Sequence, residues 1–378
     1  MKVCVAIDSF KGSLSSAKAG KAIKEGIMSV YPSAYVKVVP LADGGEGTID
    51  ACVTATNGEI VRARVRNPIG ETITAEYGII SDKLAIIEMA TASGLPLISE
   101  EYRNPMHTTS YGTGELIADA LSKGCRRFIV GIGGSATNDG GVGMLQALGF
   151  EFSDENGKQV PFGAKGLEHI KEIKVQNRIK ELDECDFLIA CDVNNPLCGK
   201  KGCSAVFGPQ KGADADMVEK MDVLLEKFAV ATKEIFPNSD KDTPGAGAAG
   251  GLGFAFMSYL GGKLCSGIDL IIKEIGLEKE IVDAEIVITG EGRLDAQSCM
   301  GKAPTGVAKL AKKFGKTVVA FSGCVTDDAK KCNENGIDAY FPILKTPSTI
   351  NEAMEETNAY TNLRDTAEQV FRLIKARE

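Results

Sequence analysis

Short β-branched runs separated by helical patterns recur along this chain, and that alternation restricts what it can build. KVCVAI at 2–7 leads into a helical pattern near 15–30, and AYVKVVP at 34–40 leads into another near 45–56. LAIIEMA at 84–90, RFIVGI at 127–132 and FLIACD at 187–192 continue the series, while AEIVITG, TVVAFSG and DAYFPIL restore it toward the C-terminus. Strands that take turns with helices pair in parallel, because a parallel neighbour is reached only through a crossover long enough to hold a helix. One stretch breaks the rule. EIVRARV and ETITAEYGII, joined by RNPIG, predict an antiparallel hairpin turning at Asn67, Pro68 and Gly70. The end of the chain resembles its beginning more than its middle, and 378 residues suit two domains. The expected class is α/β: a doubly wound, mostly parallel sheet domain built from both chain ends, residues 1–75 and 283–378, with a second α/β domain, 76–282, inserted in it. The active site is expected in the cleft between them.

A net charge of -8 disfavours a nucleic-acid or membrane surface, since displacing counterions takes a basic stripe. The chain opens on a strand pattern rather than a charged and then apolar leader, and it carries no run of about 18 apolar residues. A cytoplasmic protein is expected. The 11 cysteines lack CxxC pairs; Cys191, Cys198 and Cys203 have no histidine close by and read as packing thiols rather than a zinc site. Nothing in the pattern fixes the oligomeric state, so a homo-oligomer stays open.

The 43 glycines cluster where strands end. In open parallel sheets, ligands bind beyond the carboxyl ends of the strands, where loops lead into helix N-termini. Asp8 and Lys11 follow the first strand, and Asp43, Gly44, Gly45, Glu46 and Gly47 follow the second. Gly133, Gly134, Ser135, Thr137, Asn138 and Asp139 follow FIVGI, and Asp192, Asn194 and Asn195 follow FLIAC. Gly290, Glu291, Gly292, Arg293 and Asp295 follow IVIT. Any one of these loops is explained by helix capping and turn formation. Capping does not, however, require acids, lysine and arginine to recur at one end of the strands.

Gly131, Gly133 and Ala136 fit the dinucleotide pattern G-x-G-x-x-A, with Glu151 placed as a ribose acid would be. Against a nicotinamide-dependent dehydrogenase stands Asp139, which would set an acid where the pyrophosphate needs positive dipole. Carboxylates beside phosphate-cradling amides suit a magnesium-bound polyphosphate, whose phosphates complete the shell of a cation held by few protein oxygens. No Walker A pattern and no protein-kinase signature is present, so a kinase of another design is expected.

The segments IDSFKGSLSS, PLADGGEGT, HTTSYGTGEL, GIGGSATNDGG, CDVNNPL, FGPQKGA, GAGAAGGLGF and TGEGRLDAQS…GKAPTGVA, in this order from residue 1 to about 370, resemble the bacterial two-domain glycerate kinases. The resemblance implies transfer of the γ-phosphate of ATP to D-glycerate with Mg²⁺ as cofactor. The 2-hydroxyl is the expected acceptor, the 3-hydroxyl or another small hydroxy acid the alternative. Carried onto these residues, it makes Lys11, Asp192, Arg293 and Asp295 the catalytic set. Lys11 would meet a phosphate or the glycerate carboxylate, Asp192 would accept or orient the hydroxyl proton, and Arg293 would clamp an anion. Gly133, Gly134, Ser135, Thr137, Asn138, Gly290 and Glu291 would hold the nucleotide. Asp8, Ser9 and Asn194 would contact substrate, with Asp8 also able to organise the metal. Asp43 and Glu46 would serve the metal, with Asp295 as a rival for any of the acidic roles.

Overall fold

The structure, a computed structural model, describes residues 1–296, 298 and 301–378; Gln297, inside the TGEGRLDAQS motif, lies outside them. The chain divides into two compact units, Met1–Asp43 with Asp50–Asn57 and Ser266–Glu378, and Gly44–Ile49 with Gly58–Cys265.

The first unit is built on five parallel strands in the order β13-β12-β11-β1-β2. Their bounds are β1 Lys2–Ile7, β2 Tyr35–Pro40, β11 Ile286–Leu294, β12 Thr317–Val325 and β13 Ala339–Pro342. β1 is buried along most of its length, as a central strand covered on both faces must be. Val3, Val5 and Ile7 join Ala19, Ala22, Ile23 and Ile27 of the helix Ser16–Val30 in one core. Burying each of the larger aliphatics is worth about 1.5–3 kcal/mol. Ser15 caps that helix, its hydroxyl accepting the Lys18 N–H at 3.3 Å. The chain runs from β1 to β2 on one side and returns as β11, β12 and β13 on the other, so the strand order reverses between β1 and β11.

The second unit holds six strands in the order β10-β9-β6-β5-β4-β3. They are β3 Glu59–Arg66, β4 Thr72–Ile80, β5 Leu84–Glu88, β6 Arg127–Gly131, β9 Asp186–Ala190 and β10 Lys263–Cys265. β5, β6, β9 and β10 are parallel; β3 and β4 form the expected antiparallel hairpin. Its turn is pinned by Asn67, whose side-chain oxygen accepts the N–H groups of Ile69 and Glu71 at 3.0 and 2.9 Å. The boundaries differ from those expected. The hairpin extends the second sheet because β4 pairs with β5, so residues 58–75 leave the first unit, as do Gly44–Ile49, while residues 266–282 join it. A separate two-stranded antiparallel ribbon pairs β7 Glu151–Ser153 with β8 Glu172–Lys174. Among the described residues no helix is long and apolar enough to cross a membrane.

Candidate functional site

The reversal between β1 and β11 is the switch point at which doubly wound sheets take their ligands, and three carboxylates stand there. Asp8 follows β1, Asp43 follows β2, and Glu291 lies in β11. The Asp8 N–H donates to the Gly290 carbonyl at 3.0 Å, which ties the first loop to the adjacent strand. Burial pushes the Asp8 carboxyl up to about 7, the charges of Asp43 and Glu291 push the same way, and the Ser9 N–H, donating to Asp8 Oδ1 at 2.6 Å, resists. Glu291 is 8% exposed, is raised mainly by burial, and one of its carboxylate oxygens has no hydrogen-bond partner.

Gly290–Leu294, expected as a loop, continues β11 and pairs with β12 as far as Val325. A side chain at Gly290 would overlap the Phe321 carbonyl oxygen, so glycine there answers first to strand packing. Arg293 is exposed, with its Nε 3.4 Å from Asp295 Oδ2. Asp295 also accepts the Ser298 N–H at 3.2 Å and so fixes its own turn. Lys11 is exposed at the helix approach.

In the second unit the loops after β5, β6 and β9 lie on neighbouring strands. Glu88 closes β5, and its buried carboxylate accepts the Ile49 N–H at 2.8 Å, anchoring the segment that carries Gly44, Gly45 and Glu46. Gly131, opposite Glu88 in the ladder, lies directly against the Gly44 backbone. Gly44–Ile49 and the GIGGSATNDGG segment therefore meet at the same end of this sheet. Gly133 and Gly134 are exposed there and Ser135 is nearly buried. Thr137 and Asn138, expected to face the ligand, turn inward and are fully buried: Asn138 Nδ2 donates to Ser204 Oγ at 2.9 Å. Their side chains line the interior of this unit, and the exposed part of the loop is Gly133 and Gly134. Asp192 and Asn194 are exposed beyond β9, and Glu46 is exposed in its segment.

Asp139 is fully buried, and its carboxylate takes the N–H groups of Ser110, Gly141 and Gly143 at 2.8, 3.1 and 3.2 Å and the Ser110 hydroxyl at 2.8 Å. Amides that a dinucleotide pyrophosphate would need are already occupied. Lys211, to which the sequence pattern assigns no role, is 1% exposed, and its ammonium donates to Ser135 Oγ at 2.8 Å and to the Thr137 carbonyl at 2.6 Å. Glu88 and Lys211 both had a signal available: a charged residue ending a buried apolar run, and a lysine in the tight FGPQKGA turn.

No three His, Cys, Asp or Glu side chains among the described residues form a metal-holding group. Magnesium needs fewer, because it keeps waters and takes phosphate oxygens. The mutual repulsion at Asp8, with an unpartnered oxygen on Glu291, fits a site completed by a cation that arrives with a polyphosphate.

A parallel sheet with carboxylates at its switch point, together with a second sheet edged by a glycine-rich loop, marks a two-unit α/β enzyme. Residues 3–375 match the family model of the glycerate kinase family. The chain is 47% identical to the glycerate 2-kinase of Escherichia coli K12, over 96% of this chain and 95% of that one. It is equally identical, 47%, to the glycerate kinase of Haemophilus influenzae over 99% of both chains. A crystal structure from Salmonella typhimurium LT2, of a protein described as a candidate glycerate kinase 2, superposes with a TM-score of 0.91 at 44% identity, covering 100% of this chain and 98% of the other. The chain belongs to the glycerate kinase family.

Proposed function

We propose that this chain is a cytoplasmic, magnesium-dependent kinase that transfers the γ-phosphoryl group of ATP to the 2-hydroxyl of D-glycerate. The observation that carries the reading is the set Asp8, Asp43 and Glu291 at a switch point, where burial and the neighbouring charges push the Asp8 carboxyl up and one buried oxygen of Glu291 has no hydrogen-bond partner. The E. coli relative's description as a glycerate 2-kinase favours the 2-hydroxyl.

Asp8 and Asp43 would hold the metal, which would offset the negative charge of the phosphates. Lys11 and Arg293 supply cationic donors to phosphate or to the substrate carboxylate. Gly133, Gly134 and Ser135 present a short-sided loop to the nucleotide. Asp192 takes the proton of the attacking hydroxyl as the new oxygen–phosphorus bond forms and the bond to the ADP oxygen breaks. Positioning by the protein supplies most of the acceleration, because the phosphoryl group needs little covalent help.

Incubation with ATP, Mg²⁺ and D-glycerate should yield 2-phosphoglycerate, identified by its phosphorus and carbon NMR shifts. Production of 3-phosphoglycerate would reassign the acceptor, and no ADP release across a panel of small hydroxy acids would overturn the kinase reading. Asp192→Asn should lower kcat by about 100-fold, within the usual range for losing a general base. Its melting temperature should stay at the wild-type value, since the residue is exposed. A wild-type rate would remove Asp192 from the chemistry.

A further inference from the structure

Lys211 ends the short turn Pro209–Lys211 and is enclosed in the second unit. A buried lysine is costly unless its ammonium has partners, and both partners here belong to one loop, 76 and 74 residues back along the chain. An ammonium can only donate, so Ser135 Oγ must receive it on a lone pair and keeps its own O–H as a donor. The second bond seizes the Thr137 carbonyl two residues on, which fixes the backbone between Ser135 and the buried Thr137 side chain.

We propose that Lys211 is a positioning residue whose buried positive charge holds the Gly133–Thr137 loop in the form that receives the phosphates of the nucleotide. The assignment rests on the function proposed above, because the loop is taken there as the nucleotide's cradle.

The groups facing this ammonium are few. Asp139 is saturated by its own four donors, and the Cys203 thiol is pushed up to about 11 by burial and so stays neutral near pH 8. Arg103, whose backbone meets Gly212, pairs its guanidinium with Glu100 at 3.5 Å. Burial pulls the Lys211 ammonium down to about 8 from its ordinary 10.5. Between these two values the unfolded chain binds the proton more tightly, so the folded state gains stability as pH rises through that window. The charge behind the loop is lost in the same window. Activity and stability should therefore move in opposite directions, which a purely structural lysine would not produce.

The test measures kcat/KM for MgATP at saturating D-glycerate from about pH 6.5 to about pH 9.5, with amide hydrogen exchange across residues 133–138 of the ligand-free protein. Wild type should lose kcat/KM above about pH 8, and Lys211→Met should be lower by about 100-fold at neutral pH with no alkaline limb. Its loop amides should exchange at least about tenfold faster than those of wild type. Ser135→Ala leaves the buried cation in place but removes one acceptor, so its alkaline limb should move to lower pH. A Lys211→Met enzyme at the wild-type rate, one that retains the alkaline limb, or an unmoved limb in Ser135→Ala would each overturn the proposal. Exchange needs no substrate: unchanged protection in Lys211→Met overturns the positioning role, while wild type without glycerate turnover overturns only the function on which it rests.

Discussion

Asn in place of Asp8 is expected to remove turnover, by about 100-fold or more, and yet to make the nucleotide-free protein harder to melt at alkaline pH. The folded carboxyl sits up at about 7 against an ordinary value of 3.8, because burial and the charges of Asp43 and Glu291 oppose its ionisation. A folded state that holds its proton more tightly than the unfolded chain loses stability as pH rises across that interval. The contribution is fully present below pH 3.8 and gone above about 7, where ionised Asp8 is a net burden. Asn keeps the size of the side chain and an oxygen for the Ser9 N–H, but carries no charge. The stability gap in favour of the variant should open between about pH 4 and about pH 7 and then level off. Each tenfold difference in proton affinity between the folded and unfolded states is worth about 1.4 kcal/mol, and partial solvent screening reduces the whole to about 1–3 kcal/mol. That corresponds to a rise of a few degrees, readable by calorimetry at pH values across the window. Magnesium and ATP should stabilise the wild type at pH 8 and leave the variant nearly unmoved, by the linkage between binding and folding. A variant that melts lower at pH 8, or that turns over normally, would remove Asp8 from the anionic centre.

What the sequence made legible was local. Apolar runs such as KVCVAI and FLIACD mark buried strands, and a following Asp or Gly marks the ligand end of a parallel sheet; Asp8, Asp43, Gly133 and Asp192 all occupy such ends. The RNPIG turn likewise reveals its hairpin. Which sheet owns that hairpin is decided by β4 pairing with β5, a register set by tertiary packing and invisible to period and turn chemistry. The three residues of β10 are too few to show a period. Thr137 and Asn138 look as open in the sequence as Gly133 and Gly134, because residue type does not disclose which way a loop side chain turns; burial resolves it. The same loop depends on Lys211, and ADGGEGT depends on Glu88, across separations that sequence proximity cannot suggest.

Gly131→Ala is expected to disable the enzyme through one methyl group. Gly131 ends β6 between Glu88 of β5 and Ala190 of β9, so the strand is held on both sides and cannot yield. A side chain there would overlap the Gly44 carbonyl oxygen. The backbone at Gly131 lies outside the positive-φ region that alanine avoids, so the cost comes from the close approach alone. Gly44–Ile49 must then lift from the sheet edge, against the hydrogen bond from the Ile49 N–H to Glu88. Overpacking of this kind costs about 1–3 kcal/mol, and moving a positioned segment by about 1 Å costs about 100-fold in rate. Gly133→Ala is the control for stability: it lies two residues on, and a side chain there meets nothing within 4 Å. Melting temperature should drop for Gly131→Ala and hold for Gly133→Ala, and kcat/KM for Gly131→Ala should drop with its melting temperature. Wild-type kinetics in a destabilised Gly131→Ala would show that ADGGEGT packs against the sheet for stability alone, and its acids would lose their claim on the metal.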